Sequence, residues 1–176
     1  MKTLKSPTCL RLPHGIAQCN IQIIRESPLP YQIEAGLPTL DTPEASARAF
    51  ETLVTSDPQF DWERETFVVM LLTVRRKLAS WQILSVGTKD TLLVGHSDVF
   101  KLAIVANAHA IVVGHNHPSG DRAPSEADIR VTRDLFRAGQ LLKIELLDHI
   151  IVANPALREP SKRGFTSLRE LGYLYS

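Results

Sequence analysis

The stretch from Ala110 to Leu135, AIVVGHNHPSGDRAPSEADIRVTRDL, constrains what this chain can fold into more than any other. It opens with an apolar run, Ala110 to Val113, that has the character of a buried β-strand. The run leads into His115-Asn116-His117, and Pro118-Ser119-Gly120-Asp121 is a strong turn signal. Just beyond Pro124, Ser125 starts a helix that carries Asp128 in its first turn. Strand side chains alternate, so His115 and His117 project to one side while Asn116 points away. Two imidazoles projecting together from a strand end make half of a zinc site, and Asp128 can swing back towards them as a third ligand. Two His and one carboxylate leave a fourth position for water, which is the catalytic rather than the structural zinc pattern.

Each residue also has a plainer reading. Ser125-Glu126-Ala127-Asp128 is a capping box in all but the preferred acid, and histidines two apart are common. The conjunction favours the metal: His-x-His, seven residues, Ser, two residues and Asp fall on strand, turn and helix start in the right order. The helix start then supplies Ser125 as both cap and polar donor, and Asp128 as ligand.

His115-x-His117, followed after seven residues by Ser125-x-x-Asp128, resembles the JAMM (MPN+) metallopeptidase motif. Its filling, HNHPSGD and PSEADI followed by VTRDL, resembles the bacterial RadC-like branch. The likeness runs from about Glu65 to the C-terminus, through SVGT at 85–88, LLDHIIV at 146–152 and GFTSLRELG at 164–172. The resemblance implies an α/β fold, a mixed sheet with helices packed on both sides (the JAMM/MPN, cytidine-deaminase-like architecture), and a hydrolytic zinc. It also points to Glu65, which opens Glu65-Thr66-Phe67-Val68, as the carboxylate that takes a proton from water and later delivers it to the leaving amine. From the residues alone Glu63, two positions earlier on the same strand parity, stays open. In this reading His115, His117 and Asp128 hold Zn²⁺, Glu65 is base and then acid, and Ser125 donates its hydroxyl to the developing oxyanion. Turn chemistry accounts for Asn116, Ser119 and Asp121. His149, beside Asp148, is expected to be a strand residue rather than a ligand, and His14, His96 and His109 receive no role.

The rest of the chain bounds the reading. Its 176 residues suit a RadC-like JAMM/MPN domain over 41–176, preceded by an N-terminal extension over 1–40. Hydrophobic residues make up 44% and charged ones 22%, a globular rather than a disordered balance. A formal net charge of +1 gives no strong case for nucleic acid. Nothing near the N-terminus resembles the helix-hairpin-helix region of long RadC proteins, the part of that family best suited to DNA. Cys9 and Cys19 make neither a disulfide framework nor paired zinc-finger ligands. A zinc deaminase would need His-x-Glu with a distant Pro-Cys-x-x-Cys, and a zincin His-Glu-x-x-His on a helix; both are absent. The expectation is a cytoplasmic zinc metallopeptidase without a membrane span, acting on an unspecified protein or peptide. The rival is a metal-stabilised, non-catalytic module attached to DNA repair or processing.

Local signals predict the remaining elements. Residues 1–18 are expected to be poorly ordered, with a short strand over Ile21–Arg25. Thr42 caps a helix with Pro43 at its first position, ended by Asp57-Pro58. Strands are expected over Glu65–Val74 and Leu78–Val86, joined by a solvated tip at Arg75-Arg76-Lys77, with an extended piece at Thr91–Gly95. Ser97 caps a helix through Asn107 whose inner stripe is Val99, Leu102, Ala103 and Ala106. The helix from Ser125 is expected to bury Ala127, Val131, Leu135, Ala138 and Leu142. A strand over Glu145–Val152, a loop over 154–164 and a last short helix capped by Thr166 or Ser167 complete the chain.

Overall fold

Strand β1 (Thr66–Leu72) is buried at every position, because it lies between two neighbours and under helices on both faces. It pairs antiparallel with β2 (Leu78–Val86) on one side and β3 (Ala110–His117) on the other. β3 pairs parallel with β4 (Glu145–Ala153), which pairs antiparallel with the short β5 (Phe165–Ser167). The sheet order is β2-β1-β3-β4-β5. The computed structural model describes residues 38–87, 94–158 and 163–175; the strand expected at 21–25 and most of the piece at 91–95 lie outside these.

The pleat sorts the core into two layers. Val68, Met70, Leu72 and Val112 meet helix α1 (Pro43–Thr55) through Ala47, Phe50 and Val54. Phe67, Val69, Leu71 and Val113 face the opposite way, towards α2 (His96–Val105) and α3 (Glu126–Leu142), through Val99, Phe100, Ala103 and Leu135. This is an α/β architecture with a mixed sheet and helices on both sides, as expected. The first described residues are already packed: Leu78 N–H donates to the Pro38 carbonyl, and Leu40 is fully buried. Arg75 and Arg76 form a solvated tip, with Arg76 in the left-handed region at φ 57°.

Several local expectations need correction. The second helix starts from Gly95, whose side gives no cap, and Ser97 lies inside its first turn. Phe100 belongs to its buried face, whereas Leu102 is only half-buried. No helix follows β5 among the described residues; Ser167 Oγ instead accepts from the Glu170 N–H at 3.1 Å and closes a turn. The largest correction concerns α3. Its buried face is Asp128, Ile129, Thr132, Leu135 and Gly139, while Ala127 and Leu142 are exposed and Val131 and Ala138 half-buried. The apolar residues alone suggest a different stripe, because two inward positions are polar.

Gly139 sets how closely α3 approaches the start of β4. A Cβ at that position would lie 2.5 Å from the Ile144 carbonyl oxygen, a backbone atom with little freedom to yield. Gly139→Ala tests this contact, because helix propensity alone would favour Ala by about 1 kcal/mol. Overpacking against backbone costs about 1–3 kcal/mol. A net loss of stability is therefore expected, read as a lower urea midpoint at unchanged slope; a higher midpoint would refute the close approach.

Candidate metal centre

The sheet register carries the donors to one place. Phe67 pairs with His115, so the segment entering β1 runs alongside the end of β3 and brings Glu65 to it. The parallel pairing of β3 and β4 requires a crossover, which α3 supplies, and its first turn comes back over that strand end. Glu65, His115, His117 and Asp128 each offer one donor atom, all within 4.8 Å of one another. Glu63 is exposed and outside the group.

The spacing within the group suits a metal ion. His115 Nε2 lies 3.0 Å from His117 Nε2 and 3.3 Å from Asp128 Oδ1, and His117 Nε2 lies 3.6 Å from Asp128 Oδ2. Bonds of about 2.0–2.2 Å in a tetrahedral zinc site separate ligand atoms by about 3.3–3.6 Å. Glu65 Oε1 stands further back, 3.8 Å from His115 Nε2. The imidazole of His117 is oriented by its other nitrogen: Nδ1 is 2.7 Å from the Asp121 carbonyl, an acceptor only, so Nδ1 carries a proton. Asp121 therefore contributes through its backbone as well as through the turn.

Asp128 serves two purposes. The Ser125 N–H and hydroxyl both donate to Oδ2 at 2.7 Å, and Ser125 Oγ accepts from the Asp128 N–H at 3.1 Å. This reciprocal capping box fixes the carboxylate and leaves Oδ1 directed at His115. The Ser125 hydroxyl proton is thus held by Asp128 in this structure. Donation to a substrate oxyanion requires that proton to turn away from the carboxylate.

The electrostatics separate the two acids. Burial disfavours the Asp128 carboxylate, but the His117 hydrogen bond, the His115 ring and both Ser125 donors hold its pKa well below the ordinary aspartate value. Burial raises the pKa of Glu65, as does Asp128, against the opposing pull of His117. His115 is held well below the usual histidine range by burial and by His149. Burial also disfavours the His117 cation, yet Asp128, the Asp121 carbonyl and Glu65 outweigh it and raise the pKa.

Two residues that received no role in the sequence bear directly on the site. Asn116, fully buried, accepts from the Thr66 N–H at 2.9 Å and donates to the Arg64 and Trp62 carbonyls at 3.0 and 3.2 Å. It fastens the segment on which Glu65 stands. His149 is a strand residue, as expected, but its fully buried ring lies 2.9 Å from His115 Nδ1 and 2.7 Å from Thr132 Oγ1. The available signal was a lone histidine within LLDHIIV, since a polar ring in a buried apolar stretch must find partners. Among the described residues His96 and His109 stand outside the donor group.

A model of the family described as the RadC-like JAB domain matches residues 40–173. A UPF0758 protein of Symbiobacterium thermophilum is 42% identical over 110 residues, covering 62% of this chain and 44% of that protein. One of Thermotoga maritima is 43% identical over 112 residues, covering 64% and 47%. Another, of Chlorobaculum tepidum, is 44% identical over 94 residues, covering 53% and 42%. The chain thus spans somewhat under half the length of these curated relatives.

A divalent metal must displace the proton that Asp128 and its neighbours stabilise on His117. Below the raised His117 pKa that proton competes with the metal, so affinity is expected to fall as pH is lowered, beginning above the ordinary value of 6.5. Calorimetry in buffers of differing ionisation enthalpy measures both the affinity and the proton released. An affinity flat across roughly pH 5–8 would refute the assignment of His117 as a ligand.

Proposed function

Because the chain belongs to the RadC-like JAB domain family, we propose that it is a zinc-dependent hydrolase that cleaves a peptide or isopeptide bond. The observation that carries this reading is the division of labour among the clustered donors. Three of them, His115, His117 and Asp128, lie 3.0–3.6 Å apart, close to the spacing of zinc ligands, while Glu65 lies 3.8 Å from His115 with a raised pKa. A purely structural metal has no need of such a group.

His115, His117 and Asp128 would hold Zn²⁺, and zinc, when bound, supplies Lewis acidity and lowers the pKa of a water towards neutrality. Glu65 accepts a proton from the attacking water at its carboxylate and delivers it to the leaving nitrogen as the C–N bond breaks. Its raised pKa suits both halves of that transfer. Ser125, at the N-terminus of α3, would donate its hydroxyl to the carbonyl oxygen as negative charge develops there, its proton turning from Asp128. Asn116 holds the Glu65 segment in place from beneath. A cleft of about 480 Å³ runs along the turn after His117, lined by Gly120, Asp121, Arg122, Pro124, Arg158 and Leu171. It offers room for a short stretch of polypeptide.

Glu65→Gln preserves size and polarity but removes the proton acceptor. The variant is expected to fold and to hold zinc, while turnover of a cleavable peptide or isopeptide falls by roughly 10²–10⁴-fold. Cleavage at the parental rate would sink the proposed base. Ser125→Ala is expected to slow turnover too, with a stability loss of about 1 kcal/mol from the missing cap.

Asn116→Leu separates positioning from chemistry. It leaves all four donor groups intact but removes the side-chain bonds to Trp62, Arg64 and Thr66, so that, among the described residues, the Gly87 N–H alone bonds the Glu65 backbone. Turnover is expected to fall on the order of 10²-fold with zinc content unchanged by elemental analysis; undiminished turnover would mean that Glu65 is held by other contacts.

A further inference from the structure

The fully buried pair Thr132 and His149 lies behind the donor group, and its hydrogen bonds can be assigned one proton at a time. The Thr132 hydroxyl has a single hydrogen. Its Oγ1 lies 2.6 Å from the Asp128 carbonyl oxygen, which can only accept, so the hydrogen lies between those two oxygens. Thr132 Oγ1 must therefore accept from its other neighbour, His149 Nδ1, at 2.7 Å. With its proton on Nδ1, the neutral His149 ring presents a bare Nε2 to His115 Nδ1, 2.9 Å away. His115 Nδ1 must then carry the proton that fills this contact. The His115 nitrogen left without a proton is Nε2, which points at His117 and Asp128.

We infer that His149, oriented by Thr132, is a positioning residue that locks His115 in the tautomer able to bind zinc through Nε2. The relay forms a closed loop. It leaves one proposed ligand, Asp128, through its own backbone carbonyl, passes through α3 and β4, and returns to a second, His115 on β3. Phe67 keeps water from the loop, stacking on His115 with ring centres 6.1 Å apart and meeting His149 edge-on at 5.7 Å. Outer partners of metal-bound histidines fix ring orientation and raise ligand basicity. Here the partner is a second imidazole instead of a carboxylate, so the donor set gains no negative charge from it.

This role rests on the zinc reading, and its test separates the two. In the metal-free protein, two-bond ¹H–¹⁵N correlation spectra report which ring nitrogen of His115 is protonated; the expected result is Nδ1, and protonation at Nε2 would overturn the relay whether or not zinc binds. Zinc affinity, measured by competition with a chromophoric chelator, is expected to fall about 10–100-fold in His149→Leu, with His115 redistributed between tautomers. His149→Gln keeps an acceptor facing His115 and a donor facing Thr132, so affinity should recover to within a few-fold of the parent. Should His149→Leu fail to fold, the near-isosteric Thr132→Val removes the hydroxyl alone. It should weaken zinc in the same direction, and Thr132→Ser should restore it. A folded His149→Leu or Thr132→Val protein with parental zinc affinity and unchanged His115 tautomer would refute the role. A parent chain that binds no zinc but protonates His115 at Nδ1 would instead sink the hydrolase reading and leave the relay standing.

Discussion

A completely buried imidazole at the end of β3 must have both ring nitrogens satisfied, and the surrounding architecture meets that demand. On one side of His115, β4 runs parallel to β3 with Val113 opposite His149 and His115 opposite Ile151, which brings the His149 ring to Nδ1. On the other side, Nε2 meets His117 from the same strand and Asp128 from the first turn of α3. Neither arrangement works without the β3-α3-β4 crossover, because a parallel neighbour cannot be reached by a tight turn. Among the described residues no buried side-chain polar atom lacks a partner. The polar centre is therefore built into the sheet, not added to its surface.

The same crowding explains why two nearby carboxylates behave differently. Asp128 is surrounded by donors, namely the Ser125 N–H and hydroxyl and the His117 ring, which favour its ionised form. Glu65 is part-buried without comparable hydrogen bonds among the described residues, and Asp128 repels its charge. Environment alone thus separates a carboxylate held towards its ionised form from one better able to exchange a proton. The difference traces to local structure. One acid lies inside a capping box at a helix start, and the other lies at a strand entrance held through backbone, by its neighbours Arg64 and Thr66 and by its own carbonyl, which accepts from the Gly87 N–H.

How much of this could be read from the sequence depended on whether a residue's partners were near it in the chain. His115, His117, Ser125 and Asp128 were legible because strand alternation and a capping box place them by short-range rules. Glu65 needed family resemblance, since its approach depends on a β1–β3 register set some fifty residues away. Asn116 looked like turn chemistry because its partners, Trp62, Arg64 and Thr66, are equally distant. His149 looked like an ordinary strand residue for the same reason. The stripe of α3 was misplaced on different grounds: a search for apolar periodicity cannot anticipate that Asp128 and Thr132 face inwards. Once Asp128 is known to face His115, helical spacing brings Thr132, Leu135 and Gly139 inwards with it.

That inward stripe joins two kinds of packing along one helix. At its C-terminal half α3 is seated by Leu135 in the apolar layer and by Gly139 against the Ile144 backbone. At its N-terminal half, beside the buried Ile129, it meets the sheet through the Thr132–His149 hydrogen bond and the Asp128 contacts with His115 and His117, while Ser125 fixes the Asp128 carboxylate within the helix start. Apolar contacts are non-directional and tolerate small shifts, whereas hydrogen bonds weaken steeply with misalignment. The apolar end can therefore supply most of the adhesion while the polar end fixes the position of Asp128 relative to His115. Truncating one member of the polar end would strand its buried partner, a loss larger than that of the bond itself. The arrangement makes α3 a rigid bracket: a helix anchored at its far end by packing and aligned at its near end by the groups that would hold the metal.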